Sequence, residues 1–280
     1  MNLPYSEDTL REMELWPFIE LQRRTAHPAA TVVASTAAST VATTVAVPAA
    51  KTNVAEPARR TAASAQPVRS APSPRAAAPS ALPAPDPARV ARIGTLDWQG
   101  LKAEAAACQA CGLCKQRRQA VLGVGAVEAP WLFVGEGPGA EEDEQGEPFV
   151  GQAGKLLDAM LAATGLQRGR EVYIANVVKC RPPGNRNPSP EESLACAPLL
   201  DRQIDLIQPK LIVALGKIAL TRLTGSEASM ASMRGKQHEY RGIPVIATYH
   251  PAYLLRNLPD KLKAWEDLMF AKRVFVAKAG

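Results

Sequence analysis

Trp131-Leu132-Phe133-Val134-Gly135-Glu136-Gly137-Pro138-Gly139 is the stretch on which the fold turns. Four consecutive apolar residues, bounded by turn formers, read as a short strand buried on both faces. The three glycines and the proline that follow force a tight turn, and its backbone amides can approach a flat ligand closely. The loop is not a Walker loop, since no Gly-Lys-Ser/Thr follows, and it does not match the G-x-G-x-x-G dinucleotide fingerprint.

Working outward from this strand, apolar strands and amphipathic helices alternate. Ala153–Thr164 has helical spacing and is closed by Gly165; Val172–Val178 reads as a strand. Ser189-Pro190-Glu191-Glu192 is a capping box with proline at the first helical position, opening a helix to about Ile207. Leu211–Leu215 is a buried strand and Lys217–Leu223 a short helix. Arg241-Gly242 turns the chain into a strand over Ile243–Thr248, and a last helix spans roughly Asp260–Val276. Thr95 is placed to cap a helix running toward Cys108. This order predicts a three-layer α/β/α sandwich with a central, mainly parallel sheet. Ligands of such sheets sit beyond the carboxyl ends of the strands. Here those ends are Gly135 onward, Val178-Lys179-Cys180, Gly216 and Tyr249-His250, where the unusual residues gather.

The first third of the chain is of another kind. No aromatic residue occurs between Phe18 and Trp98, and half of the 24 prolines precede residue 95. Ala, Pro, Thr, Ser and Val in these proportions bury too little surface to offset chain entropy. Residues 25–94 are therefore expected to be a disordered linker. Residues 7–24 have helical spacing, interrupted at Pro17, and residues 1–24 read as a segment that docks on the domain or on a repair or replication protein. Residues 95–280 form the expected globular domain. The net charge of +6 divides as −2 over residues 1–24, +5 over 25–94 and +3 over 95–280. Most of the positive charge thus lies in the tail, as weak phosphate attraction or as a merely solubilising linker. No secretory signal or membrane-length apolar run is present, and a cytoplasmic monomer is expected.

Five cysteines in a reducing compartment point to metal rather than disulfides. Cys108-x2-Cys111-x2-Cys114 follows a helix, and Cys180 and Cys196 lie downstream at a strand end and on the next helix. Four thiolates suit a tetrahedral zinc or a [4Fe–4S] cluster, which spacing alone does not separate. One thiol is spare, and Cys114 is the natural outsider. His250 stands at a strand end in Tyr249-His250-Pro251-Ala252-Tyr253-Leu254-Leu255-Arg256. Helix amides there could hold a phosphate, and Leu254 or Leu255 could wedge into a base stack. The acidic residues 141–147 read as a loop, with Glu141 and Glu144 simply solvated.

Taken together, GEGPGAEEDEQGEPFVGQAGKLLDAML, VYIANVVKCRPPGNRNPSPEE and HPAYLLR resemble the family 4 uracil-DNA glycosylases, the iron–sulfur type of bacteria and archaea. The resemblance covers about residues 96–275. It implies a monofunctional glycosylase that hydrolyses the N-glycosidic bond of uracil in single- or double-stranded DNA, leaving an abasic site for base excision repair. It also implies a structural [4Fe–4S] cluster on Cys108, Cys111, Cys180 and Cys196. Phe149 would stack on the flipped uracil, and the Glu136-Gly137-Pro138 backbone would line one edge. Glu142 would crowd C5 against thymine. Asn176 can offer donor and acceptor together to O4 and N3–H, a pattern that cytosine reverses, for a discrimination on the order of 10⁴-fold. His250 would donate a hydrogen bond to the developing O2 anion. The best-known uracil glycosylases carry an aspartate where Gly137 stands, so Glu136 orients the water or leaving-group stabilisation dominates, and the second is preferred. The loop 181–188, with Arg186, would run near the DNA backbone, as would Arg256. Its lack of histidine argues against covalent trapping of DNA. The alternative is a non-catalytic or covalent binding protein for uracil-DNA or single strands.

Overall fold

The computed structural model describes residues 85–279. The docking segment expected over 1–24 and the linker up to residue 84 lie outside the described residues.

The first described element corrects a boundary. Pro87–Gly94 is a helix (α1), capped by the Asp86 carboxylate on the Ala88 amide, so the linker expected to reach residue 94 stops before it. The sequence hides this because only one core residue, Ile93, lies in the helix; it is fully buried. Thr95 ends α1 rather than opening the next helix. The cap of α2 (Trp98–Ala107) is Asp97, whose side chain accepts from the Gly100 amide at 2.7 Å.

Six strands form one sheet: β1 (Val124–Gly125), β2 (Trp131–Gly135), β3 (Val172–Asn176), β4 (Leu211–Leu215), β5 (Gln237–Tyr240) and β6 (Ile243–Thr248). Their order is β1-β3-β2-β4-β6-β5. The inner four run parallel, and only the edges β1 and β5 are antiparallel to their neighbours. The three-layer sandwich read from the sequence is therefore present. β2 explains why: Leu132 and Val134 enter one apolar core, Trp131 and Phe133 the other. A strand buried on both faces needs helices on both.

One face is covered by α1, α2, α5 (Pro190–Ile207) and α6 (Lys217–Thr224). The other carries α4 (Gln152–Ala163), α8 (Pro251–Leu254) and α9 (Lys261–Ala279). The predicted capping box is in place: the Ser189 hydroxyl accepts from the Glu192 amide at 3.2 Å, and Glu192 accepts from the Ser189 amide at 2.8 Å. Besides α1, two helices were not read from the sequence, α3 (Ala140–Gln145) and α7 (Met230–Met233).

β3 ends at Asn176, two residues before the expected Val178. The chain beyond it still tracks the glycine turn, with Val177 and Val178 amides donating to the Gly135 and Glu136 carbonyls at 2.9 and 3.1 Å. Asn176 lies directly opposite Gly135, and Leu215 opposite Thr248. β2 is the point where the chain, having built outward through β3, returns to build β4 on the other side. Such a reversal leaves a crevice at the strand ends.

Candidate functional site

The crevice is a cleft of about 550 Å³, lined by Glu136, Gly137, Pro138, Phe149, Asn176, His250 and Arg256 among others. Residues far apart in sequence meet there because each stands at a strand's carboxyl end or on the turn that follows. The Phe149 and His250 rings lie 5.4 Å apart, centroid to centroid. Phe149 is 6% exposed and takes φ 55°, a left-handed conformation costing a bulky residue about 1–2 kcal/mol. Gly135 is what lets the pocket close. A Cβ there would stand 2.4 Å from Asn176 Oδ1 and 2.6 Å from the Phe149 ring.

Asn176 is 1% exposed, and its Oδ1 is buried with no hydrogen-bond partner. An unsatisfied buried acceptor costs about 1–3 kcal/mol. One that faces a cleft is a place where a ligand donor is favoured.

His250 caps α8, its Nδ1 accepting from the Ala252 amide at 3.2 Å. A neutral ring whose Nδ1 accepts must carry its proton on Nε2. Burial pushes the His250 pKa down to about 4; the Arg256 charge pushes the same way and Glu142 opposes both. The imidazole is thus neutral at physiological pH, with one N–H to donate. The phosphate site expected at the start of this helix is not there. The Ala252 amide is held by Nδ1, and the Tyr253 and Leu254 amides by the His250 carbonyl at 2.9 and 3.2 Å.

Glu136 lines the cleft, and burial raises its carboxyl above the usual range. Glu142 also reaches the cleft, yet both oxygens are engaged with backbone. Oε2 accepts from the Gly139 amide at 3.0 Å, and Oε1 from Val150 and Gly151 at 3.0 and 3.2 Å. The acidic stretch is therefore no loop but helix α3, whose acids favour its N-terminal end. Asp143 is buried and accepts from the Arg118 amide at 3.0 Å. Glu141 and Glu144 are exposed, as expected.

The two leucines of the histidine motif part company. Leu254 is 1% exposed and belongs to the core beside α4 and α9, so it cannot wedge into DNA; Leu255 is 40% exposed. Arg256 is exposed at the cleft. Arg186 also lines the cleft, but its guanidinium holds both Glu192 oxygens, at 2.8 and 2.7 Å. Sequence reading missed Tyr253, which lines the cleft, stacks on Tyr249 at 4.9 Å and donates to Asp260 at 2.6 Å. Its place inside the motif, three residues after His250, was the available signal.

On the other side of the sheet, Cys108, Cys111, Cys114, Cys180 and Cys196 line one cavity. All five are free thiols. Arg117 donates to Cys180 Sγ at 2.8 Å, Arg89 to Cys108 Sγ at 3.4 Å, and the Lys179 amide to Cys196 Sγ at 3.3 Å. Donors aimed at sulfur are what thiolate ligands require. Burial pushes the Cys196 thiol up to about 12 and raises Cys111 and Cys180 as well. A bound metal would take the place of those protons. Among the described residues, no three metal-ligating side chains are arranged as ligands of one ion. The donor set fits a thiolate-bound metal group.

Comparison with known proteins agrees with the geometry. The family model "Uracil DNA glycosylase superfamily" matches residues 122–269. A type-4 uracil-DNA glycosylase of Thermotoga maritima is 48% identical over 177 residues, 62% of this chain and 91% of that protein. A type-4 enzyme of Archaeoglobus fulgidus is 47% identical over 54% of this chain and 80% of its own length. A type-5 uracil-DNA glycosylase of Thermus thermophilus is more distant, 34% identical over 46% of this chain and 68% of its own. With the matched region spanning the sheet, the glycine turn and the histidine motif, the chain belongs to the uracil-DNA glycosylase superfamily and to its type-4 branch.

Proposed function

We propose that the cleft takes up a uracil rotated out of DNA and hydrolyses its bond to deoxyribose, leaving an abasic site. The single observation that carries this is the orphaned Asn176 Oδ1, set beside the Phe149 ring and the His250 imidazole in one cleft. A base must leave the stack before its glycosidic bond can be reached. In the cleft, uracil N3–H satisfies Asn176 Oδ1, the amide nitrogen donates to O4, and the ring stacks on Phe149. The Glu136-Gly137-Pro138 turn supports the remaining edge.

Cleavage leaves a pair of electrons on the base, delocalised to O2, and oxocarbenium character on the sugar. His250 Nε2–H donates to that anion. A neutral imidazole is the better-matched donor, because it stabilises the charge without giving up a proton to the departing base. Preorganised donors of this kind contribute about 10²–10³-fold. Glu136, with its raised pKa, orients the attacking water and accepts its proton, a smaller contribution than leaving-group stabilisation. Glu142 acts by holding the Gly139, Val150 and Gly151 amides, and so shapes the wall that a thymine methyl would meet. Arg256 offers a cation to the DNA backbone and Leu255 an apolar wedge. Arg186 can do so only by leaving Glu192.

The cysteine cavity can take a metal group on Cys108, Cys111, Cys180 and Cys196, a [4Fe–4S] cluster or zinc, and the resemblance to the iron–sulfur type of uracil-DNA glycosylase favours the cluster. When bound, such a cluster supplies a cross-link between the segment after α2 and α5, not a chemical step. Iron analysis and the absorption spectrum of anaerobically purified protein decide between the two metals.

Uracil-containing single- and double-stranded oligonucleotides, incubated with protein and then treated with alkali, test the activity. Strand breaks are expected after alkali and not before, since among the described residues no lysine lines the cleft. Strands left intact by alkali would sink the proposal. His250→Ala is expected to lower kcat/KM by about 10²–10³-fold, and Glu136→Gln by less.

A further inference from the structure

Phe149 is held in its left-handed conformation by an acid and a base on the peptide groups around it. Glu142 holds the chain that follows Phe149, accepting from the Val150 and Gly151 amides. Arg168, in the turn between α4 and β3, grips the carbonyl side. Its Nη1 donates to the Pro148 carbonyl at 2.8 Å and its Nη2 to the Phe149 carbonyl at 2.9 Å. Its Nε is fixed by Asp158 of α4 at 2.9 Å. Each peptide group beside Phe149 thus meets a charge of the sign it requires. The planar guanidinium is the one side chain whose fork spans two successive carbonyls. Gly154 seats the loop on the first turn of α4, where a Cβ would stand 1.8 Å from the Phe149 carbonyl oxygen. A bulky residue at positive φ persists only when its surroundings over-determine it, and these contacts do so.

We infer that Arg168 is a positioning residue for base stacking: it holds the Phe149 ring against the pocket although it does not line the cleft itself. The inference rests on the uracil-excision reading and deepens it. With its carbonyls released, the Phe149 backbone relaxes toward ordinary φ and the ring swings off the face that stacks on the base.

A kinetic double-mutant cycle of Arg168→Gln and Phe149→Ala tests this on uracil-containing DNA. In the wild-type background Arg168→Gln is expected to lower kcat/KM on the order of 10- to 100-fold. In the Phe149→Ala background the same change is expected to cost less than about 2-fold, because the ring it positions is gone. Arg168→Lys, whose single ammonium cannot bridge both carbonyls as a fork, should fall between. It replaces Arg168→Gln in the cycle if that variant does not fold. Equal losses in the two backgrounds, or no loss in the wild type, would overturn the inference. A second readout does not depend on turnover. In protein labelled with fluorophenylalanine, the ¹⁹F resonance that Phe149→Ala removes should shift or broaden in the Arg168 variants while the Phe133 resonance stays. An unmoved Phe149 resonance overturns the clamp. A wild type that releases no uracil overturns the activity reading instead.

Discussion

At the scale of single residues, the site depends on what is missing as much as on what is present. Gly135 has no side chain, and that is why Asn176 and Phe149 can share a wall. Gly135→Ala is expected to force the two apart and lower kcat/KM about 10²-fold, with a stability loss of about 1–3 kcal/mol from overpacking. Comparing turnover with the unfolding midpoint checks both. His250 makes a pH prediction. Its pKa is about 4 in the folded chain and near 6.5 when unfolded, so between those values only the unfolded chain binds the proton. Stability should therefore fall as the pH drops from about 6.5 to about 4, on the order of 2–3 kcal/mol. His250→Asn should remove that part of the slope in denaturant titrations across this window. In kcat/KM no limb is expected near pH 6.5. An acid limb lying above that of His250, near pH 4, belongs to Glu136, whose pKa is raised, and Glu136→Gln should abolish it.

At the scale of elements, the end of the short helix α8 sends two leucines that are adjacent in sequence to opposite environments. Leu254 faces the core and Leu255 faces solvent. Leu254→Ala is expected to cost about 2–5 kcal/mol of stability. Leu255→Ala should stay within about 0.5 kcal/mol of wild type and lower excision from duplex more than from single strands, where no stack needs filling. Equal effects on both DNA forms would remove Leu255 as a wedge. Helix α1 makes a similar distinction at the other end of the domain. A protein truncated before Asp86 keeps Ile93 in the core and Arg89 on Cys108 and the Ala195 carbonyl. One truncated after Gly94 loses both, at about 1.5–3 kcal/mol for the isoleucine alone. Thermal unfolding of the two truncations should differ accordingly, with excision on short oligonucleotides retained by the longer.

At the scale of the whole molecule, the sheet carries the cleft at its strand ends and the cysteine cavity against α2 and α5. Val177–Cys180 runs from one to the other. Lys179 ties them physically: its ammonium donates to the Asn176 carbonyl at 2.7 Å and its amide to Cys196 Sγ at 3.3 Å. Removal of the proposed metal group, or Cys196→Ala, is expected to lower the unfolding temperature and to cost excision through Asn176 placement rather than through chemistry. Residual activity should then show a larger loss for uracil over cytosine discrimination than a loss of kcat alone. An apo-protein with unchanged stability would argue against a structural role for the metal group.

The amino-acid order by itself determined the layered α/β/α architecture, because strands such as Trp131–Gly135 and Leu211–Leu215 are apolar without alternation and lie between amphipathic helices. It also determined the family, through glycine, asparagine and histidine motifs that are local and contiguous. Only the tertiary structure decided what depends on direction in space. It placed Ile93 in the core, turned Leu254 inward and engaged the first amides of α8. It paired Arg186 with Glu192, gave Glu142 three backbone amides, and brought Arg168 onto the carbonyls beside Phe149. Periodicity records which residues are apolar. It does not record which partner a long charged side chain will reach, because that is fixed by elements far away along the chain.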